Sequence, residues 1–162
     1  MATIQITTLI HAPIERVFDL FRSIDAHQHS TSSTSEVAIG GITSGLISLG
    51  EEVEWEAYHF GVKQRLRSKI TALNRPNHFQ DVMIKGAFLY MKHDHYFREV
   101  GDYTELKDVF EYKAPLGVLG TIAEKLFLTR YMRKFLLTRN HVLKQVAESD
   151  EWNRFLVCRD TV

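Results

Sequence analysis

Thr3–Ile10 alternates polar and apolar positions and is rich in β-branched residues, and a period of two predicts a strand. Ala12-Pro13 ends it, and Pro13 suits the first turn of a helix whose apolar side chains are Ile14, Val17, Phe18 and Phe21. A second short turn is expected over Asp25–His29, a polar loop over Ser30–Ser35, and a turning connection from Gly40 to Gly45. From Gly50 the period returns to two. Val53, Trp55 and Ala57 alternate with Glu52, Glu54 and Glu56, and Val62, Leu66, Ile70 and Ala72 with Lys63, Arg65, Arg67 and Lys69. Such runs predict strands with one wet face. Phe79–Lys85, Leu89–Val100 and Thr104–Lys113 continue the series, separated by Asn74-Arg75-Pro76-Asn77 and a tight loop at Gly101-Asp102. Five strands in a row predict an antiparallel meander, with Thr3–Ile10 and Glu36–Ile39 added at an edge.

After Pro115-Leu116-Gly117 the period becomes helical. Leu119, Ile122, Ala123 and Leu126 form one stripe; Leu128, Met132, Phe135, Val142 and Val146 form another, flanked by Tyr131, Leu136, Leu143 and Ala147. The stripes are out of phase, which predicts a kink or restart near Phe127–Thr129. The second helix should run about 20 residues, roughly 30 Å. An apolar face this wide needs a large curved sheet to cover it. The expected class is α+β, one domain over residues 1–148, with a C-terminal tail over 149–162.

Composition narrows the function classes. The chain has 162 residues with 20 basic and 20 acidic side chains, so no charge bias points to nucleic acid. Its one cysteine, Cys158, excludes an internal disulfide and a multi-thiolate zinc site and favours a cytoplasmic protein. The first ten residues lack a basic-then-apolar leader, and no run approaches the length of a membrane span. Gly40-Gly41-Ile42-Thr43-Ser44-Gly45 lacks the Gly-Lys-Ser/Thr ending of a phosphate loop.

Several motifs in order complete the picture. They are Ala12-Pro13-Ile14-Glu15-Arg16-Val17-Phe18, Arg75-Pro76-Asn77-His78-Phe79-Gln80-Asp81, Lys85-Gly86-Ala87-Phe88 leading to His93-Asp94-His95-Tyr96-Phe97, Asp108-Val109-Phe110-Glu111-Tyr112, and Arg139-Asn140-His141-Val142-Leu143-Lys144. From Thr3 to Glu148 the chain resembles the helix-grip superfamily of START lipid-transfer domains, Bet v 1 and bacterial polyketide cyclase/dehydrase-like proteins. Met91 stands where bacterial relatives often carry Trp. The resemblance implies a sheet wrapped around the long helix, an elongated cavity between them, and a hydrophobic or amphipathic small-molecule ligand. Some relatives catalyse cyclisation or dehydration there and many only bind or carry, so the fold does not choose.

The segment Tyr90-Met91-Lys92-His93-Asp94-His95-Tyr96-Phe97 carries the candidate chemistry. Strand parity puts Met91, His93, His95 and Phe97 on one face and Lys92 and Asp94 on the other, so the first face is expected to line the cavity. Closing the hairpin at Gly101-Asp102 pairs His95 with Asp108, His93 with Phe110, Met91 with Tyr112 and Phe97 with Leu106. Met132, Phe135 and Leu136 face them from the helix, and Trp55, Phe79 and Asp81 from neighbouring strands. Three roles stay open for the histidines: polar groups satisfied within the wall, contacts to the polar end of a ligand, or a general base, His95 oriented by Asp108. A metal would need a third ligand, Asp108 or His59; with no HExxH helix or second strong cluster, neither metal nor other cofactor is expected. His27-Gln28-His29 is expected to be exposed. Arg130, Arg133 and Lys134, with Lys125 and Lys144 in the same region, read as a solvated helix face that leaves room for transient contact with an anionic membrane. Arg139 falls on the apolar stripe, so it should pair with a carboxylate at the cavity's end or reach out to water. A third option is a regulatory interaction domain whose cavity is filled by its own side chains. The sequence is silent on oligomeric state.

Overall fold

The structure, a computed structural model, describes residues 1–115 and 117–156, with positions 120, 121, 124 and 125 by backbone only. Leu116, the Lys125 side chain, Cys158 and the end of the tail therefore lie outside the described residues. The order is β1 (Ala2–Ile10), α1 (Ile14–Phe21), α2 (Ile24–Ser30), β2 (Val37–Gly41), β3 (Glu52–His59), β4 (Val62–Asn74), β5 (His78–Lys85), β6 (Tyr90–Val100), β7 (Tyr103–Lys113), α3 (Gly117–Ala123), α4 (Thr129–Glu148) and α5 (Asn153–Leu156). Seven antiparallel strands form one sheet in the order β1-β7-β6-β5-β4-β3-β2. The meander is as the alternation predicts. The two added strands, however, take opposite edges, β1 against β7 and β2 against β3. Gly41 ends β2 at φ 69°, where a Cβ would run into the Glu52 carbonyl, so only glycine fits.

The phase break between the helical stripes is real. Between α3 and α4, Glu124–Leu128 winds as a π turn, and the extra residue per turn shifts the apolar stripe. α4 then buries Met132, Leu136, Arg139, Asn140, Leu143, Val146 and Ala147. Its C-terminal half packs with α1, which buries Ile14, Val17, Phe18, Leu20 and Phe21. Arg16 donates to the Ala147 carbonyl at 3.1 Å, and the His11 backbone N–H to Glu148 Oε1 at 2.9 Å. The beginning of the tail folds back on this core: Trp152, Phe155 and Leu156 pack against it, with the Arg16 guanidinium 4.3 Å over the Trp152 ring.

Candidate functional site

The predicted β6–β7 register holds at every pair: His95 faces Asp108, His93 faces Phe110, Met91 faces Tyr112 and Phe97 faces Leu106. On the other side β5 sets Phe79 opposite His95 and Asp81 opposite His93. The sheet and α4 enclose a cavity of about 290 Å³. Trp55, Phe79, Met91, His93, His95, Phe110, Met132, Phe135 and Leu136 line it, together with Asp81.

Two expected lining residues sit elsewhere. Asp108 and Tyr112 are fully buried and are not among the cavity's lining residues. Parity turned Asp108 inward correctly, but α4 covers it: Arg139 donates to Asp108 Oδ1 at 3.0 Å, and Asn140 Nδ2 donates to Oδ2. Tyr112 is taken up by the apolar cluster beneath α4, its hydroxyl 2.7 Å from Thr129 Oγ1.

Asp108 is the hub of a buried polar cluster. His93 Nε2–H donates to Asp108 Oδ1 at 2.9 Å. His95 Nδ1 lies 2.8 Å from the same oxygen, but the angle makes this a charge contact and not a hydrogen bond. On its far side His95 Nε2 meets Asp81 Oδ1 at 3.4 Å. The imidazole centroids are 3.9 Å apart, and His95 stacks on Phe79 at 4.2 Å. Burial pushes the His93 pKa down to about 4, helped by the charge on His95 and only partly offset by Asp108, so His93 is neutral. Burial works against charge on His95 too, but Asp108 and Asp81 outweigh it and raise its pKa. Burial would raise Asp108; Arg139 and the imidazoles reverse this and hold it well below the carboxylate range. Asp81 is likewise lowered, its burial outweighed by His95 and His93. Asp81 and Asp108 are thus carboxylates at neutral pH, and His95 holds its proton more tightly than a free imidazole. Asp81, His93 and His95 can each offer one metal-ligand atom, all within 4.8 Å of one another.

Sequence reasoning missed a second polar group on the other flank. His27, expected to be exposed, is half-buried, lines the cavity and stacks on Trp55 at 4.3 Å; His29 is exposed as expected. His27 Nε2 lies 3.3 Å from Glu36 Oε1, and Glu36 also faces the cavity. His59 Nδ1 is 2.8 Å from the Tyr131 hydroxyl, and burial lowers the His59 pKa and raises that of Tyr131. The two share one hydrogen bond, whose donor is set by the His59 tautomer. His27 carried a signal, three positions from Ile24 on one helix face, but the polar loop behind it masked that signal.

Cavity-lining residues flank α3 in the chain. Phe60, Phe88, Pro115, Leu128 and Tyr131 line the cavity, and Phe60 stacks on Tyr131 at 4.4 Å. Around them large apolar side chains are exposed: Val62, Leu89, Val118, Leu119, Ile122, Leu126 and Phe127. Arg130, Arg133 and Lys134 are exposed on the adjoining turns, whereas Arg139 is buried against Asp108, the carboxylate pairing its place in the stripe predicts.

No protein-family model and no curated protein matches the chain. Solved structures do. A Thermus thermophilus protein superposes with a TM-score of 0.73 at 17% identity, over 89% of this chain and 95% of that one. Ginseng major latex-like protein 151 from Panax ginseng gives 0.68 at 14% identity, over 91% and 98%. A START superfamily protein from Mycobacterium smegmatis gives 0.67 at 13% identity, over 90% and 97%. The chain shares its helix-grip fold with these structures, a START superfamily protein among them. Identities this low carry the fold alone. Among the described residues no helix is long and apolar enough to cross a membrane.

Proposed function

We propose that the protein binds or carries a hydrophobic small molecule, lipid-like or polyketide-like, in the cavity between sheet and α4. One observation carries the proposal: an apolar, aromatic-lined cavity of about 290 Å³ holds a compact set of charged groups on one wall. Small-molecule sites have this composition, with a few placed polar groups orienting an apolar ligand. The volume is at the low end for such sites and suits a modest ligand. A void of this size also speaks against a cavity filled by its own side chains. The exposed apolar stretch beside Arg130, Arg133 and Lys134 supports loading at an anionic membrane surface, since apolar side chains insert while basic ones meet the headgroups. Mass spectrometry of an organic extract of the purified protein tests the proposal. A stoichiometric amphipathic compound is expected; an empty extract together with no uptake from added fatty acid or polyketide panels would overturn it.

A second reading rests on His95. An imidazole whose pKa is raised between Asp81 and Asp108, and which faces an apolar cavity, is a proton donor aimed at whatever binds there. This favours cyclase or dehydrase-type acid–base chemistry with His95 as the acting group and Asp108 as its orienting partner.

A further inference from the structure

We propose that Asp81, His93 and His95 form a binding site for a first-row divalent cation of the zinc or iron(II) kind, open to the cavity on its remaining side. The donor set decides the class. Two imidazoles and one carboxylate suit zinc, iron(II) and cobalt(II), whereas calcium and magnesium prefer oxygen alone. The spacing fits: the three residues each offer a ligand atom within 4.8 Å of the others, and His95 Nε2 is already 3.4 Å from Asp81 Oδ1.

The surroundings resemble the outer layer of a metal site. Ligating histidines give their other ring nitrogen to a carboxylate, which fixes tautomer and orientation. Asp108 does this here: His93 donates Nε2–H to it and keeps its Nδ1 lone pair, and His95 turns Nδ1 towards the same oxygen and Nε2 towards Asp81. Arg139 and Asn140 lock Asp108 in turn. All three ligands stand on adjacent strands, with Asp81 directly opposite His93, so the constellation is rigid. Asp81 supplies a carboxylate oxygen for the cation, while Arg139 pairs with Asp108 behind the imidazoles. All three ligands line the cavity, which supplies the entry path and the open coordination positions. The proposal does not depend on an organic ligand.

The test is titration of the chelator-treated, dialysed protein with Co²⁺, followed by its visible ligand-field absorption, with zinc competition by calorimetry. Binding is expected to saturate at about one equivalent per chain. Asp81→Asn and His95→Gln should abolish it, and Asp108→Asn should weaken it about 10–100-fold, the usual cost of losing a carboxylate behind a ligating histidine. Replacing the exposed His29 by Gln should change nothing. Circular dichroism of each variant checks the fold, and the unaltered chain by itself decides whether saturable binding occurs. Absence of saturable binding, or binding that survives both Asp81→Asn and His95→Gln, would overturn the proposal.

Discussion

The two halves of the C-terminal helical region obey opposite rules. From Arg139 onward, α4 is buried against α1 and β7: Leu143, Val146 and Ala147 are at most 2% exposed, and even the polar Arg139 and Asn140 are enclosed and bonded. From Gly117 to Phe127 the apolar side chains point outward, with Val118 78%, Leu119 73% and Phe127 69% exposed. The exposed stretch is, if anything, the more apolar in sequence, with six apolar residues in eleven against four in ten. One closes the core, and the other stays exposed between Pro115 and Leu128, which line the cavity. Hydrophobic residues kept exposed, where they contribute little to folding, indicate a surface that something else covers.

The largest test of this contrast is Asp108→Ala. It strips the partner from Arg139 and both imidazoles in a fully buried site. Removing one side of a buried charge pair costs about 3–5 kcal/mol, so urea unfolding should show a loss of that order. A midpoint within error of the parent would mean that the cluster is not a pillar of the closed end. Next comes a matched pair of leucines. Leu143→Ala should cost about 2–5 kcal/mol, as for other buried leucines, and Leu119→Ala less than about 0.5 kcal/mol. Equal losses at the two sites would erase the distinction between the closed and the exposed stretch.

The sequence showed this contrast only in part. The Gly101-Asp102 loop pins the hairpin, so strand parity gave every β6–β7 pair, and the out-of-phase stripes located the π turn at Glu124–Leu128. Both are local patterns. Asp108's withdrawal from the cavity was hidden because it depends on Arg139 and Asn140 closing over it from 31 and 32 positions away. The contact of Asp81 with His95 depends on the β5–β6 register across a longer connection, which periodicity does not fix. Glu36 and His27 meet Trp55's flank only once the sheet curves, and no spacing in the chain announces that.

The exposed stretch can be tested without touching the closed one. Replacing Leu119 and Phe127 together by Ser should leave the unfolding midpoint nearly unchanged while lowering co-sedimentation with anionic lipid vesicles several-fold. Vesicle binding that persists, or that ignores the vesicle's charge, would remove the membrane from the proposal. Met132→Trp instead fills the cavity from α4, where Met132 lines it beside Met91. Ligand uptake should fall while the fold survives, because the added volume goes largely into existing space; uptake equal to the parent's would place the ligand elsewhere.

The smallest expected effect lies on the outside of the closed end. Asp19 on α1 accepts from Arg75 through both oxygens, at 3.1 and 2.8 Å, and from Arg22 at 2.8 Å, so it ties the β4–β5 turn to the helix. Burial would raise its pKa, but the two guanidinium groups outweigh it and hold the folded value below the ordinary 3.8. A depressed folded pKa contributes stability that is full above the unfolded value and is lost as pH falls through the folded one. Arg75 is 44% exposed, so solvent screening limits the contribution to about 1 kcal/mol or less. Asp19→Asn should therefore lower stability slightly at neutral pH, and its curve should converge on the parent's only as pH falls through the depressed folded value of Asp19. Denaturant midpoints followed from neutral pH through the acid range test this. Parallel curves with a constant gap would show that Asp19 acts through packing and not through its charge.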